Sequence, residues 1–81
     1  MEETAQALRV ILTEVAGLPP NFDAAADFYA ELGMPSMKAM QLLMELEDKF
    51  QVAIPDDEFI EATSLNRLTD LIQRLTVGEP T

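Results

Sequence analysis

With no cysteine and no histidine in its 81 residues, this chain must do any chemistry through hydroxyls, carboxylates and amines. That removes thiol nucleophiles, thiolate metal sites, disulfides and the imidazole base together. The best-placed group is the hydroxyl of Ser36, where the connector Gly33-Met34-Pro35-Ser36-Met37 gives way to a long helical pattern. As a nucleophile it would need a base, and Lys38, two residues on, faces another direction on a helix. Catalysis is therefore not expected. Asp56, Asp57 and Glu58 lack the D-x-D-x-D-G spacing and closing Glu of a calcium loop, so no metal site is expected either. In plain structural terms Ser36 is a helix N-cap, its hydroxyl accepting a backbone N–H one turn in. The same hydroxyl is open to modification by another enzyme, because a phosphate ester there would lie by the free N–H groups and positive end of the helix.

The helix that follows has an unusually wide apolar face. Advancing 100° per residue from Met37 places Leu42, Leu46, Ala39, Phe50 and Leu43 between roughly 140° and 240°, and Met40, Met44 and Met37 between roughly 300° and 360°. Glu47 alone interrupts that arc, and Lys38, Gln41, Glu45, Asp48 and Lys49 share the other side. A stripe a little over 100° wide suffices for a core, so the methionine half is spare. Methionine is flexible and polarizable, suited to varied apolar partners or cargo. Burial of the three methionines in a small bundle is the other reading, and geometry alone leaves both open. Met37, Met40, Met44, Glu47 and Asp48 form the candidate face for partner and cargo.

The remaining elements follow from period and punctuation. Leu8, Ile11, Leu12 and Val15 set an amphipathic helix from Glu2 to Ala16, with Glu2 and Glu3 at its positive end. Gly17-Leu18-Pro19-Pro20-Asn21 ends it. A long loop runs to Pro35, with Phe28, Tyr29 and Leu32 as anchors and Asp23 and Asp27 keeping its surface wet. The second helix spans Ser36 or Met37 to about Phe50. After a turn in which Ile54 points inward, Pro55 starts a short helix through Ala62, and Thr63 or Ser64 caps a last helix carrying Leu65, Leu68, Leu71, Ile72 and Leu75. Residues 77–81 read as a frayed tail. The expected fold is all-α, a small four-helix bundle of three long helices and one short, with a long first loop, forming a single domain over residues 1–81.

Five basic against fifteen acidic residues give a net charge of −10, with no basic cluster. Nucleic acid and anionic membrane are poor partners for such a surface, whereas a basic protein patch would be attracted. The N-terminus has the wrong charge for a secretory signal, and no apolar run approaches a membrane span of roughly 20 residues. A cytoplasmic monomer without membrane insertion is expected.

From about Leu8 to Ile72 the sequence resembles the acyl carrier proteins. The likeness is closest at Phe28, Glu31-Leu32-Gly33-Met34-Pro35-Ser36-Met37, Leu42 to Phe50, and Ile54-Pro55-Asp56. In that family an Asp-Ser-Leu triplet opens the second helix and its serine carries 4'-phosphopantetheine through a phosphodiester. The resemblance thus implies a covalent 4'-phosphopantetheine on Ser36, installed by a phosphopantetheinyl transferase. It implies a carrier that shuttles acyl thioesters between loading, condensing and transferring enzymes with basic docking patches. The pathway would be fatty-acid-like, polyketide or otherwise specialised. Two departures stand in the triplet: Pro35 replaces the Asp that helps the modifying synthase and its metal engage the serine, and Met37 replaces the Leu. Pro35 weakens the expectation of modification by a general-purpose synthase. Lys38 and Gln41 stand where fatty-acid carriers are acidic, so the reading is a carrier dedicated to a particular pathway. An aminoacyl or peptidyl carrier is the nearest variant, and an unmodified helical interaction module is the rival.

Overall fold

The computed structural model of the chain describes residues 2–77. Four helices follow one another: α1 (Glu2–Ala16), α2 (Lys38–Phe50), α3 (Asp56–Glu61) and α4 (Leu65–Val77), and no strand occurs among the described residues. This is the all-α bundle of three long helices and one short that the periodicities imply. α1 packs on α2 and α4, and α3 packs on α4. The apolar stripes meet where the spacing puts them: Leu8 and Leu12 of α1, Leu42 and Leu46 of α2, and Leu65, Leu68 and Ile72 of α4 are all nearly or fully buried. Val77 belongs to α4 rather than to a frayed tail, and the rest of that expected tail lies outside the described residues.

The first connection spans twenty-one positions, residues 17–37, yet is ordered by its own turns. Gly17 closes α1 with φ +74° and donates its N–H to the Thr13 carbonyl at 3.0 Å, a conformation that glycine adopts without a Cβ penalty. Leu18, Phe22, Phe28 and Met34 then enter the core, while Tyr29 and Leu32 pack half-buried against it. Phe22 and Phe28 meet edge to face at 6.5 Å. Arg9 of α1 lies 4.6 Å over the Phe22 ring and donates to the Pro20 and Phe22 carbonyls. Two backbone bonds, Phe28 N–H to Thr63 carbonyl at 2.7 Å and Asn66 N–H to Ala24 carbonyl at 3.0 Å, pin the loop to the α3–α4 connection and to the first turn of α4.

Asp27 differs from its expected role. Its carboxylate does not merely face water but accepts the N–H groups of Tyr29 and Ala30 at 2.8 Å each, setting the turn that presents Tyr29. The start of α2 differs too. Met37 occupies the N-cap position in helical conformation, and no side-chain hydrogen bond caps the helix. The Pro35 and Ser36 carbonyls accept the Lys38 and Ala39 N–H groups at 3.0 Å, so a backbone turn satisfies donors that a serine cap would otherwise take. Ser64, by contrast, does cap α4, its hydroxyl accepting the Arg67 N–H at 3.3 Å.

Candidate functional site

Because the backbone turn caps α2, the Ser36 hydroxyl is exposed and left out of the cap. Its location follows from neighbours on both sides. Upstream, Gly33 takes φ +74° and the Met34 N–H donates to the Phe28 carbonyl at 2.8 Å, folding the connector back onto the Phe28 turn. Downstream, Leu42 and Leu46 fix the rotation of α2 by burying its opposite side. Ser36 thereby comes to the edge of a groove of about 480 Å³ between α2 and α3. The groove is lined by Ala39, Met40 and Leu43 of α2, Phe59 and Ile60 of α3, and Tyr29 from the loop, with Asp56 as its one carboxylate. It is an open, mostly apolar trough bordered by the Ser36 hydroxyl.

Only part of the candidate face borders this groove. Met40 lines it and is 64% exposed, whereas Met37 and Met44, 80% and 62% exposed, stand outside it. None of the three is a core residue, so the reading in which the bundle buries them does not hold. Glu47 is half-buried, and its Oε2 accepts the Ile54 N–H at 2.9 Å, tying the α2–α3 turn to α2. Asp48 is exposed and lies, with Glu45 and Lys49, along a separate groove of about 340 Å³ against Ala7, Val10, Ile11 and Glu14 of α1.

Ala39 and Leu43, on the core-facing arc of α2, pack against the core and also line the groove, whereas Tyr29, Asp56, Phe59 and Ile60 were not marked as site residues by the sequence. One signal was present. Phe59 and Ile60 are adjacent on a helix, about 100° apart, so a short helix cannot turn both fully inward. Phe59 is buried and Ile60 is 69% exposed.

The electrostatics are set by the Asp27 turn. The Ala30 N–H, with help from the Tyr29 N–H and the Arg67 charge, holds the Asp27 carboxyl below its ordinary value against a smaller desolvation effect. Burial, with the neighbouring Asp27 charge, pushes the Tyr29 phenol above its own, so it stays protonated at neutral pH. Among the described residues no group of His, Cys, Asp and Glu is arranged to hold a metal ion.

A phosphodiester-linked arm fits this arrangement on two counts. The Ser36 oxygen is exposed and outside the cap, and an apolar trough that Ala39 and Leu43 leave open runs from it. Residues 6–72 match the family described as phosphopantetheine attachment site. An acyl carrier protein of Acidothermus cellulolyticus is 32% identical over 78 residues, covering 95% of this chain and 93% of that protein. The non-reducing polyketide synthase pigA of Monascus ruber is 35% identical over 66 residues, 82% of this chain but 2% of the synthase. The non-reducing polyketide synthase epaA of Aspergillus niger is 33% identical over 73 residues, 90% of this chain but 3% of the synthase. The chain thus spans only a small fraction of either synthase.

Proposed function

The chain belongs to the phosphopantetheine attachment site family, a family of carriers rather than catalysts, and from that premise we propose that Ser36 is the residue that bears its 4'-phosphopantetheine. The observation that carries the proposal is the exposed Ser36 hydroxyl, free of capping duty at the edge of an apolar groove. When bound, the group supplies a terminal thiol that holds acyl chains as thioesters. The chain's own residues do the rest: the turn at Pro35 and Ser36 presents the oxygen, and the positive end of α2 favours the phosphate charge. Met40, Leu43 and Phe59 offer apolar surface to arm or cargo.

The relatives are acyl carrier and polyketide proteins, which favours acyl over aminoacyl cargo and a fatty-acid-like or polyketide pathway. Carriers of this family are served by a phosphopantetheinyl transferase and by biosynthetic enzymes. For this chain we take those enzymes to dock through basic patches facing the exposed Asp48, Asp57 and Glu61, with Met37 and Met44 as the apolar centre of contact. A single carrier domain, monomeric and working in the cytoplasm, is the form this proposal assumes. No described helix is long and apolar enough to cross a membrane.

Intact mass after incubation with coenzyme A and several phosphopantetheinyl transferases tests the assignment. One phosphopantetheine should add to the wild type and none to Ser36→Ala. No gain with any transferase, or a gain retained in the alanine variant, overturns it.

A further inference from the structure

Most of the groove is apolar, and its polar groups differ in what they can offer. The Ser36 oxygen is consumed by attachment, and the exposed Asp56 carboxylate only accepts. Tyr29 is the one groove residue with a hydroxyl donor left over. Its backbone is fixed by the Asp27 carboxylate at 2.8 Å, and its ring stands edge to face with the buried Phe28 at 6.4 Å. The phenol is therefore held in place by the turn. Among the described residues no hydrogen bond engages its hydroxyl, and its elevated pKa keeps the proton on.

A saturated acyl chain laid along the groove would displace water from that hydroxyl without replacing the lost acceptor. Covering an unpaired hydroxyl is unfavourable, and a site that can bond a ligand oxygen discriminates against the analogue lacking it. We propose that the groove takes an oxygenated acyl chain, with the Tyr29 hydroxyl donating to a keto or hydroxyl oxygen of the cargo. The inference rests on Ser36 being the attachment point and names the class of chain the arm presents. Tyr29 acts as a specificity residue, while Leu43 and Phe59 accommodate the hydrocarbon part.

The test loads the protein from coenzyme A thioesters of octanoyl, β-oxooctanoyl and the isomer with its oxo group beside the terminal methyl, each confirmed by mass. Bare phosphopantetheine is the reference. Tyr29 is the only tyrosine in a chain without tryptophan, so its near-ultraviolet difference spectrum reports its own hydrogen bonding without any substitution. At least one oxo cargo should shift that spectrum to the red relative to octanoyl. In parallel, hydroxylamine release is compared between wild type and Tyr29→Phe for each cargo, so that differences in intrinsic reactivity cancel. The phenylalanine variant should release the favoured oxo cargo roughly two- to tenfold faster, the range of one net hydrogen bond, and octanoyl no faster than wild type. Equal spectra for all three cargoes, an identical shift from the bare arm, or an equal rate change for all cargoes overturns the inference while leaving Ser36 as the attachment point. Failure to load at Ser36 overturns both.

Discussion

At the scale of single residues, Asp27 couples charge to the shape of the site. Its carboxylate accepts two N–H groups of the turn that carries Tyr29, and its pKa is lowered from an ordinary 3.8, chiefly by the Ala30 N–H. A group whose folded pKa is depressed contributes stability that is present above the unfolded value and lost as pH falls through the folded one. Protonation of the other acids also relieves self-repulsion in a chain of charge −10, which acts in the opposite sense. The informative quantity is therefore a difference between proteins. Asp27→Asn keeps an acceptor oxygen but cannot titrate, so its urea midpoint should fall less than that of wild type as pH drops below 3.8. Parallel curves for the two proteins would show that the Asp27 charge contributes nothing to the turn.

At the scale of the element, α2 presents two different apolar surfaces. Met40 borders the groove, while Met44, one turn further along, stands outside it, and both are exposed. Exchanging either for Asp should change stability by no more than about 0.5 kcal/mol, as for surface positions generally. The functional consequences should separate. Met40→Asp should speed hydroxylamine release of a loaded acyl chain, because it places a charge on the groove wall. Met44→Asp should leave release unchanged and slow transfer to a partner enzyme. Chemical denaturation, release kinetics and a transfer assay measure the three quantities, and a loss of several kcal/mol in either variant would make that methionine a packing residue. Glu47 is a poor probe of docking by comparison. Reversing its charge would also break its bond to the Ile54 N–H and loosen the α2–α3 turn.

At the scale of the whole molecule, the proposed docking rests on charge. A net −10 would steer partners with basic patches over long range, and single exposed ion pairs add only about 0 to 1 kcal/mol each. Complexes should accordingly be transient, as a shuttle requires. Association rates with a ketosynthase should fall as ionic strength rises, fall further in Asp48→Lys, and rise in Lys38→Asp, which removes a cation from an acidic surface. The Lys38 exchange also places an acid in the first turn of α2, which has none, where it complements the helix dipole. Rates indifferent to salt and to both substitutions would mean that docking is not electrostatic.

What the sequence determined by itself was local. The span of α1, the register of α2 that buries Leu42 and Leu46, and the leucine stripe of α4 follow from apolar residues three and four apart, a pattern that each segment carries internally. The run Leu32-Gly33-Met34-Pro35-Ser36, with a helical pattern opening directly after it, likewise singled out Ser36 without any reference to shape. Tertiary structure decided what depends on distances between segments. Whether Ser36 uses its hydroxyl as a cap was settled by the turn at Pro35, and the spare methionine arc was divided by how far α3 stands from α2. The groove is the space left between those helices, so Tyr29, Phe59 and Ile60 became site residues only when the loop bonded to the α3–α4 connection. Glu47 shows the same dependence, for its partner Ile54 lies seven residues away across a turn, beyond the reach of a helical pattern. Periodicity reports which side of a helix is apolar. What covers that side, and what is left uncovered, is fixed by long-range packing that no single segment encodes.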